Sequence, residues 1–518
     1  MRRRNFLKTT GTAVTLPLLF KGMNLSAMEK PLLFDEMDPE NDKVLVLIQL
    51  NGGNDGLNTL IPLDQYDTLA ELRSTVILPE NTLIPLTDTL SLHPSMTGFK
   101  SLYEDGKLGM VQSVGYPNQN RSHFRSMDIW QSGSPADETW TTGWLGRYFA
   151  NNHPGFPNDY PSESYPDPFA ITMGCVVSET CQGSAANFSL TLNDPFALSP
   201  LAESAGENPT DTPYGMELDF LRTTIAQSNQ YAEKITEAAG KGSNQVAYPS
   251  SRLGEQLKNI ALLISGGLQT KVYVASIGGF DTHANQVDAG DTTTGEHAAL
   301  LSTLSEAMSA FQSDLQALGI EERVIGLTFS EFGRQIRSNF SLGTDHGTAA
   351  PLFVFGACAN SNILGENPEI SPDIEVQEGL PMQYDFRDVY GSILQDWFGL
   401  SLDRIQTLLH QQYQYLPVIQ NCQLATQTEI APTIQFELEA FPNPFRQQIN
   451  IHFYSPGGRT RVSIFDNLGS ELSVLLDQDI PAGNHQLSWN SQRYPSGSYY
   501  YRFQHGSFQQ TKRIIKID

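Results

Sequence analysis

The sequence is short of positive charge. Its 518 residues carry 32 lysines and arginines against 57 acidic side chains, a formal net charge of −25. Binders of nucleic acid or of anionic membranes need clustered basic side chains, so neither partner is expected. No stretch approaches the roughly 20 apolar residues that span a bilayer, so no transmembrane anchor is expected. Three catalytic signatures are also missing. Gly240-Lys241 has no upstream glycine of a phosphate-binding loop, and Val111-Gln112-Ser113-Val114-Gly115 lacks the first glycine of a nucleophile elbow. No dinucleotide fingerprint follows the first apolar run, so ATPase, serine esterase and dehydrogenase readings all fall. The four cysteines match no zinc motif. Cys175 and Cys181 are the disulfide candidate, in keeping with an oxidising compartment, and Cys358 and Cys422 are expected unpaired and buried.

What is present is unevenly distributed. Residues 1–27 hold five basic groups and no acid, and residues 441–518 hold eight basic and five acidic groups. The middle, 28–440, therefore keeps 19 basic and 52 acidic side chains, a net of −33. A basic head followed by the short apolar stretch Ala13 to Phe20 and small residues at Leu25-Ser26-Ala27 reads as an export signal over 1–27. Arg3-Arg4-Asn5-Phe6-Leu7-Lys8 resembles the twin-arginine motif, which implies the Tat translocase as a partner and folding before export. An ordinary signal with a chance arginine pair is the alternative.

Beyond a segment at 416–440 that reads as a linker, residues 441–518 alternate apolar and polar positions in short runs. Turn signals such as Gly457-Gly458 and Pro481-Ala482-Gly483 punctuate them, a pattern for a small antiparallel sandwich. The Phe441-Pro442-Asn443-Pro444-Phe445 opening, Ile464-Phe465-Asp466 with Gly469, Trp489 and Ser496-Gly497-Ser498-Tyr499-Tyr500 resemble the C-terminal sorting domain of type IX secretion cargo in Bacteroidetes. That resemblance implies the type IX machinery as a partner, with passage through the periplasm to the cell surface or the exterior. An adhesive or carbohydrate-binding β-domain is the alternative.

Between the ends, apolar runs at 44–48, 272–277, 324–329 and 352–355 read as strands. Leu301, Leu304, Met308, Phe311, Leu315 and Leu318, spaced three and four apart, read as a helix, as do Leu257, Ile260, Ala261 and Ile264. Alternating strands and helices predict an α/β domain over 43–415 with a mainly parallel sheet sandwiched by helices. Sites in such sheets gather at the carboxyl ends of the strands. There the chain places Asn51-Gly52-Gly53-Asn54-Asp55-Gly56, Gly279-Phe280-Asp281-Thr282-His283 and Ser330-Glu331-Phe332-Gly333-Arg334, with Asp345-His346-Gly347 just before the fourth strand. Carboxylates and imidazoles delivered to one rim point to a metal site of oxygen and nitrogen donors. The Pro-rich stretch 154–168 and its continuation to Gly215 read as a long excursion that lids the site.

The same motifs, with Arg121-Ser122-His123-Phe124 and Asp385-Phe386-Arg387-Asp388-Val389-Tyr390, resemble the alkaline phosphatase superfamily and most closely the exported bacterial family of unknown function DUF1501. The resemblance implies an alkaline-phosphatase-like fold with Asp55 on one metal and Asp281, His283 and His346 on the other. It places Ser122 at the nucleophile position, with Arg121 and His123 as its catalytic neighbours. Glu331 falls where the superfamily has the Asp of an Asp-His pair, but Phe332 stands in place of the histidine. His123 then substitutes for it, or the site holds an oxygen-preferring ion, or one metal binds rather than two. The cofactor is one or two divalent ions, Zn, Mg or Ca. Asn54, Arg125 and Arg334 are the substrate-binding candidates, arginines being suited to ester oxygens through their planar fork. Ser122 also reads as a plain helix N-cap.

Three readings of function follow. The first is a metal-dependent hydrolase of a small anionic phosphate or sulfate ester. The second is a catalytically degenerate metal-binding surface protein that binds glycans or other envelope components. The third is a metalloenzyme of another reaction class.

Overall fold

The computed structural model describes residues 42–198, 201, 212–420 and 438–517, apart from 456, 467–470, 482, 506 and 507. The expected signal peptide and the call on Cys422 lie outside the described residues. The chain divides into two compact units, Met1–Leu424 and Ala425–Asp518.

The first unit is built on a nine-stranded sheet. Its strands are β1 (Val44–Asn51), β2 (Leu108–Gly115), β3 (Ala170–Met173), β4 (Ser189–Leu192), β5 (Val272–Gly278), β6 (Val324–Phe329), β9 (Ala350–Phe355), β10 (Ile363–Leu364) and β11 (Tyr384–Asp385). A separate antiparallel hairpin, β7 (Arg334–Ser338) and β8 (Thr344–His346), leaves between β6 and β9. The spatial order is β10-β2-β9-β6-β1-β5-β3-β4, with β11 also on β2. Every pairing is parallel except the two made by β9, so the expected helix-flanked, mainly parallel sheet is observed.

Continuous apolar runs form these strands because both faces are covered. In β1, Val44, Val46, Ile48 and Leu50 enter one core with α1 (Thr97–Glu104), α4 (Pro213–Lys241), α5 (Arg252–Ser265) and α6 (Glu296–Ala317). Leu45 and Leu47 enter the other, against α2 (His123–Ser132), α3 (Trp144–Asn152), α7 (Phe386–Asp396) and α8 (Leu402–Leu408). Central β1 pairs with β5 and β6 in register, so their carboxyl ends, Asn51, Gly278 and Phe329, open onto one edge.

Three expectations are corrected here. The described part of the excursion, 154–198, is no detached lid, since β3 and β4 extend the sheet and Phe156, Phe169 and Phe188 pack together. The second concerns the cysteines. Cys175 and Cys181 are not joined: Cys175 is exposed, its Sγ accepting from Asn193 Nδ2 at 3.1 Å, while Cys181 is buried in the core, which pushes its thiol up to about 12. Cys358, expected unpaired, is disulfide-bonded. Third, 416–440 is a linker only in part. Leu416, Val418 and Ile419 pack into the α/β core and Leu438–Phe441 is a strand, whereas 421–437 lie outside the described residues.

The second unit is the expected antiparallel sandwich. Strands β12 (Leu438–Phe441), β13 (Gln448–Ser455) and β16 (Gly483–Asn490) form one sheet. Strands β14 (Gly458–Phe465), β15 (Glu471–Ile480), β17 (Gly497–His505) and β18 (Phe508–Lys516) form the other. Alternate residues of both, among them Ile449, Ile451, Phe453, Val462, Ile464, Trp489 and Tyr501, fill the space between. Among the described residues no helix is long and apolar enough to cross a membrane.

Burial lowers His93 to about 3 and His153 and His297 to about 4, from 6.5, so all three are neutral in the folded chain. Between about pH 6.5 and 4 the unfolded chain binds more protons than the folded one, so stability falls as pH falls through that window. Denaturant midpoints measured from pH 7 to 4.5 should decline, and His153→Gln should make the decline shallower.

Candidate metal centre

The first strand reaches the site by a turn that only small residues permit. Gly52 has φ +122, and a Cβ there would lie 2.2 Å from the Asp281 backbone nitrogen. Gly53 has φ +84, and its Cβ would lie 2.4 Å from the Phe332 ring. The loops after β1, β5 and β6 are therefore in backbone contact, which an alanine at either glycine would break.

Arg334 locks the three loops together. Its side chain is fully buried and donates to Gly53 O at 2.7 Å, Phe280 O at 2.7 Å, Thr344 O at 3.1 Å, Gly52 O, and Asp281 Oδ1 at 2.8 Å. Nη2 faces three of these acceptors and Nε and Nη1 one each, and with its side chain shut off from solvent Arg334 is a positioning residue.

Asp281 is the hub of what is exposed. Burial alone would raise its carboxyl, but the hydrogen bond and charge of Arg334 outweigh this and hold it below the usual carboxylate range. Oδ1 lies 3.2 Å from His283 Nε2 and 3.1 Å from His346 Nε2, and those two nitrogens are 2.9 Å apart. Oδ2 lies 3.4 Å from His123 Nε2. His123, Asp281 and His346 thus form one group of ligand atoms within 4.8 Å of one another, and His283 completes a second that shares Asp281 and His346.

The far side of each imidazole fixes its tautomer. His283 Nδ1 lies 2.6 Å from Asp345 Oδ1, His346 Nδ1 is 2.9 Å from Arg121 O, and His123 Nδ1 is 2.9 Å from Glu331 Oε1. Carboxylate and carbonyl oxygens only accept, so each Nδ1 carries the proton and each Nε2 presents a lone pair inward. Burial also lowers His346, favouring its neutral form. Two lone pairs and a carboxylate oxygen converging on one point need a cation among them: a single proton satisfies one pair, a divalent ion all three. Donors about 2.0–2.1 Å from a tetrahedral ion lie about 3.3 Å apart, close to the 2.9–3.2 Å found here. The residues fit a bound divalent ion.

Other expected site residues have different work. Asp55 is 1% exposed, pairs with Arg73 and accepts from Gln286 Nε2 at 2.6 Å, so its carboxylate is committed away from the convergent group. Burial would raise it, but the Arg73 charge and the hydrogen bonds from Gln286 and Arg73 outweigh that and hold it low. Glu331, 3% exposed, accepts from Gly52 N at 2.8 Å and from His123, and so orients a ligand candidate instead of joining the group. Asn54 is also buried, with Oδ1 2.9 Å from His297 Nε2 and accepting from Thr59 at 3.2 Å, out of reach of a substrate. Arg125 is held by Asp128 and the Pro135, Ala136 and Glu138 carbonyls, and Arg121 by Gln377 O. Phe332 is buried, with its ring 4.6 Å from that of His346 and 5.0 Å from that of His123. Ser122 occupies the N-cap position of α2, yet its side chain makes no capping bond and it is exposed. Phe124 and Phe340 beside it and beside the Asn339 loop are exposed aromatics at 89% and 103%. Asp345 was missed as an orienter, although its place beside His346 was the available signal.

Residues 42–408 match the family described as "Protein of unknown function (DUF1501)", and residues 439–517 match the "Secretion system C-terminal sorting domain". No curated protein matches the chain. Among solved structures it is similar to PorZ, a surface component of the type IX secretion system of Porphyromonas gingivalis, at 18% identity and TM-score 0.13. The match covers 16% of this chain and 12% of that one. The putative sulfatase yidJ from Bacteroides fragilis aligns at 9% identity and TM-score 0.30 over 91% and 92% of the two chains. Alkaline phosphatase from the Antarctic bacterium TAB5 aligns at 11% identity and TM-score 0.27 over 62% and 94%.

Arg334→Lys keeps the charge but loses most of the fork. Leaving several buried carbonyls without donors should cost about 3 kcal/mol or more. The melting temperature should fall by several degrees, and a variant as stable as the parent would contradict the locking role.

Proposed function

The chain belongs to the DUF1501 family, and on that premise we propose that its α/β unit is an exported metal-dependent hydrolase of small phosphate or sulfate esters. One observation carries the reading: the Nε2 atoms of His283 and His346 and Asp281 Oδ1 converge while each imidazole is held from behind by an acceptor. These three residues would hold one divalent ion, Zn, Mg or Ca, and Asp281 Oδ2 with His123 offers donors toward a second. A bound ion would stabilise charge developing on an ester oxygen and ease deprotonation of a nearby hydroxyl.

The chain's own residues supply the rest. Ser122 presents an uncommitted, exposed hydroxyl next to His123 and is the nucleophile in this reading. The first turn of α2, which no side chain caps, directs its N–H groups and positive dipole end toward the same place and favours an anionic ester there. Asp345, Glu331 and the Arg121 carbonyl keep the imidazoles from turning. Arg334 keeps Asp281 ionised and aimed.

A second reading is a degenerate protein that uses the metal to brace its fold and binds glycans or envelope components. It is favoured by the commitment of Arg125 and Arg334 to several protein acceptors each, with Arg121 also bonded to the Gln377 carbonyl.

The sorting domain marks the protein for secretion to the cell surface or the exterior by the type IX machinery. We propose that the Tat translocase delivers it to the periplasm first, from Arg3-Arg4-Asn5-Phe6-Leu7-Lys8.

Metal content and hydrolysis of aryl phosphate and aryl sulfate test the site together. Asp281→Asn with His283→Ala should lower both metal content and melting temperature. Ser122→Ala should keep the metal and lose at least about a hundredfold in turnover. Metal retained with no turnover on either ester would favour the binding reading. Truncation after Ala440 should trap the protein in the periplasm, detectable by cell fractionation, and continued surface display would refute the sorting assignment.

A further inference from the structure

A second opening lies on the same sheet edge, along α2. On the face that packs against α2, the side chains of β1 change from apolar to polar as the strand reaches its carboxyl end: Leu45 and Leu47 are core, and Gln49 and Asn51 are not. Ser276 of β5 is the register partner of Gln49, and Val274 that of Leu47. Above this row is a cavity of about 270 Å³, closed by Gln131 of α2, the loop from Gly174 to Ser178 and Arg252 at the start of α5. It is just below the about 300–1,000 Å³ of drug-sized ligand sites, and suits one small ring.

The cavity is joined to the metal centre by one stripe of α2. His123, Met127 and Gln131 are spaced four apart and share a helix face. His123 enters the metal centre, Met127 Sδ lies 3.1 Å from Gln49 Nε2, and Gln131 lines the cavity.

Two features of the lining call for a ligand. The first is uncommitted polarity. Gln131 and the Ser276 hydroxyl have no hydrogen-bond partner among the described residues, and Asn51 uses only its oxygen, which accepts from Gln49. The second is Arg252. In a compartment of net charge −33, it is the one lysine or arginine of the described α/β unit with neither an acceptor nor a carboxylate partner. Its Nη2 lies over Gly174, 3.6 Å from where a Cβ would stand, and no acidic side chain lines the cavity.

We propose that this cavity binds a sugar acid, a hydroxylated ring carrying one carboxylate. Arg252 takes the carboxylate through its planar fork, and Asn51, Gln131 and Ser276 take ring hydroxyls. A single guanidinium among neutral amides and hydroxyls matches a monoanion, since a dianionic phosphate would need further cations that this acidic unit does not place there. As the part of the substrate site that holds the sugar of an ester cleaved at the metal centre, the assignment rests on the hydrolase reading. As a binding site it does not.

Titration of the full protein with D-glucuronate, followed by saturation-transfer NMR, tests this, with D-glucose and inorganic phosphate as comparison probes. Glucuronate should bind, glucose should bind at least about tenfold more weakly, and phosphate should not compete. Arg252→Gln, an exposed change that leaves the core intact, should weaken glucuronate by at least about tenfold, the loss of a charge-assisted hydrogen bond. Gln131→Ala should weaken both sugars. His283→Ala should bind glucuronate like the parent even where it abolishes ester turnover. Equal glucuronate binding by Arg252→Gln, displacement by phosphate, or loss of binding in His283→Ala would each overturn the proposal. Ester turnover without Arg252-dependent binding would overturn it and leave the hydrolase reading standing.

Discussion

The buried guanidinium of Arg334 is the interaction on which the rest of the site depends. Loops leaving three parallel strands have no reason of their own to meet, because their backbones carry carbonyl oxygens that repel one another. Arg334 places a positive, many-pronged donor at their junction and satisfies carbonyls from the first and second loops, another from the hairpin, and the Asp281 carboxylate at once. Gly52 and Gly53 make that junction possible by removing the Cβ atoms that would hold the loops apart. The cost of burying the charge is offset by these hydrogen bonds, one of them to a carboxylate. One consequence is an ionised, fixed Asp281; the other is a hairpin, β7 and β8, anchored at Arg334 and delivering His346 to it.

Around that junction the acidic character of the domain becomes a design constraint. A net charge of −33 repels anions from most of the surface, so recognition of an anionic ester depends on local reversal of the field. Arginines do little of this at the metal centre, where Arg121, Arg125 and Arg334 are bound to the protein itself. The convergent lone pairs of His283 and His346 leave the reversal to a cation that they and Asp281 would hold. Arg252, by contrast, has neither an acceptor nor a carboxylate partner among the described residues, and it stands at the polar cavity along α2.

Much of the fold was legible in the chain. The strands at 44–48, 272–277, 324–329 and 352–355 and the helix through Leu301 and Leu315 could be read because apolar runs and three-four spacing follow directly from which faces are buried. The stretch 154–215 misled because proline and glycine report local backbone freedom. The two short strands inside it are fixed by pairing with β5 and with each other, contacts about 100 residues apart in one case. The site was half legible. Asp281, His283, His346 and His123 do meet, whereas Asp55 and Glu331, the same residue types at the same strand ends, are buried with Arg73 and with Gly52 and His123.

By itself the sequence determined the layered α/β domain, the antiparallel tail with its sorting address, and the residue types gathered at the strand ends. These depend on periodicity, turn chemistry and motif order, which are local properties of the chain. Only the tertiary structure decided which carboxylates face the opening and which are neutralised inside, that Arg334 joins loops instead of holding substrate, that Cys175 and Cys181 stand apart, and that Arg252 has no acceptor among the described residues. Each of those outcomes is a choice of partner between residues tens to hundreds of positions apart. Such choices are settled by the cost of leaving a buried charge or polar atom unmet, which no spacing along the chain records.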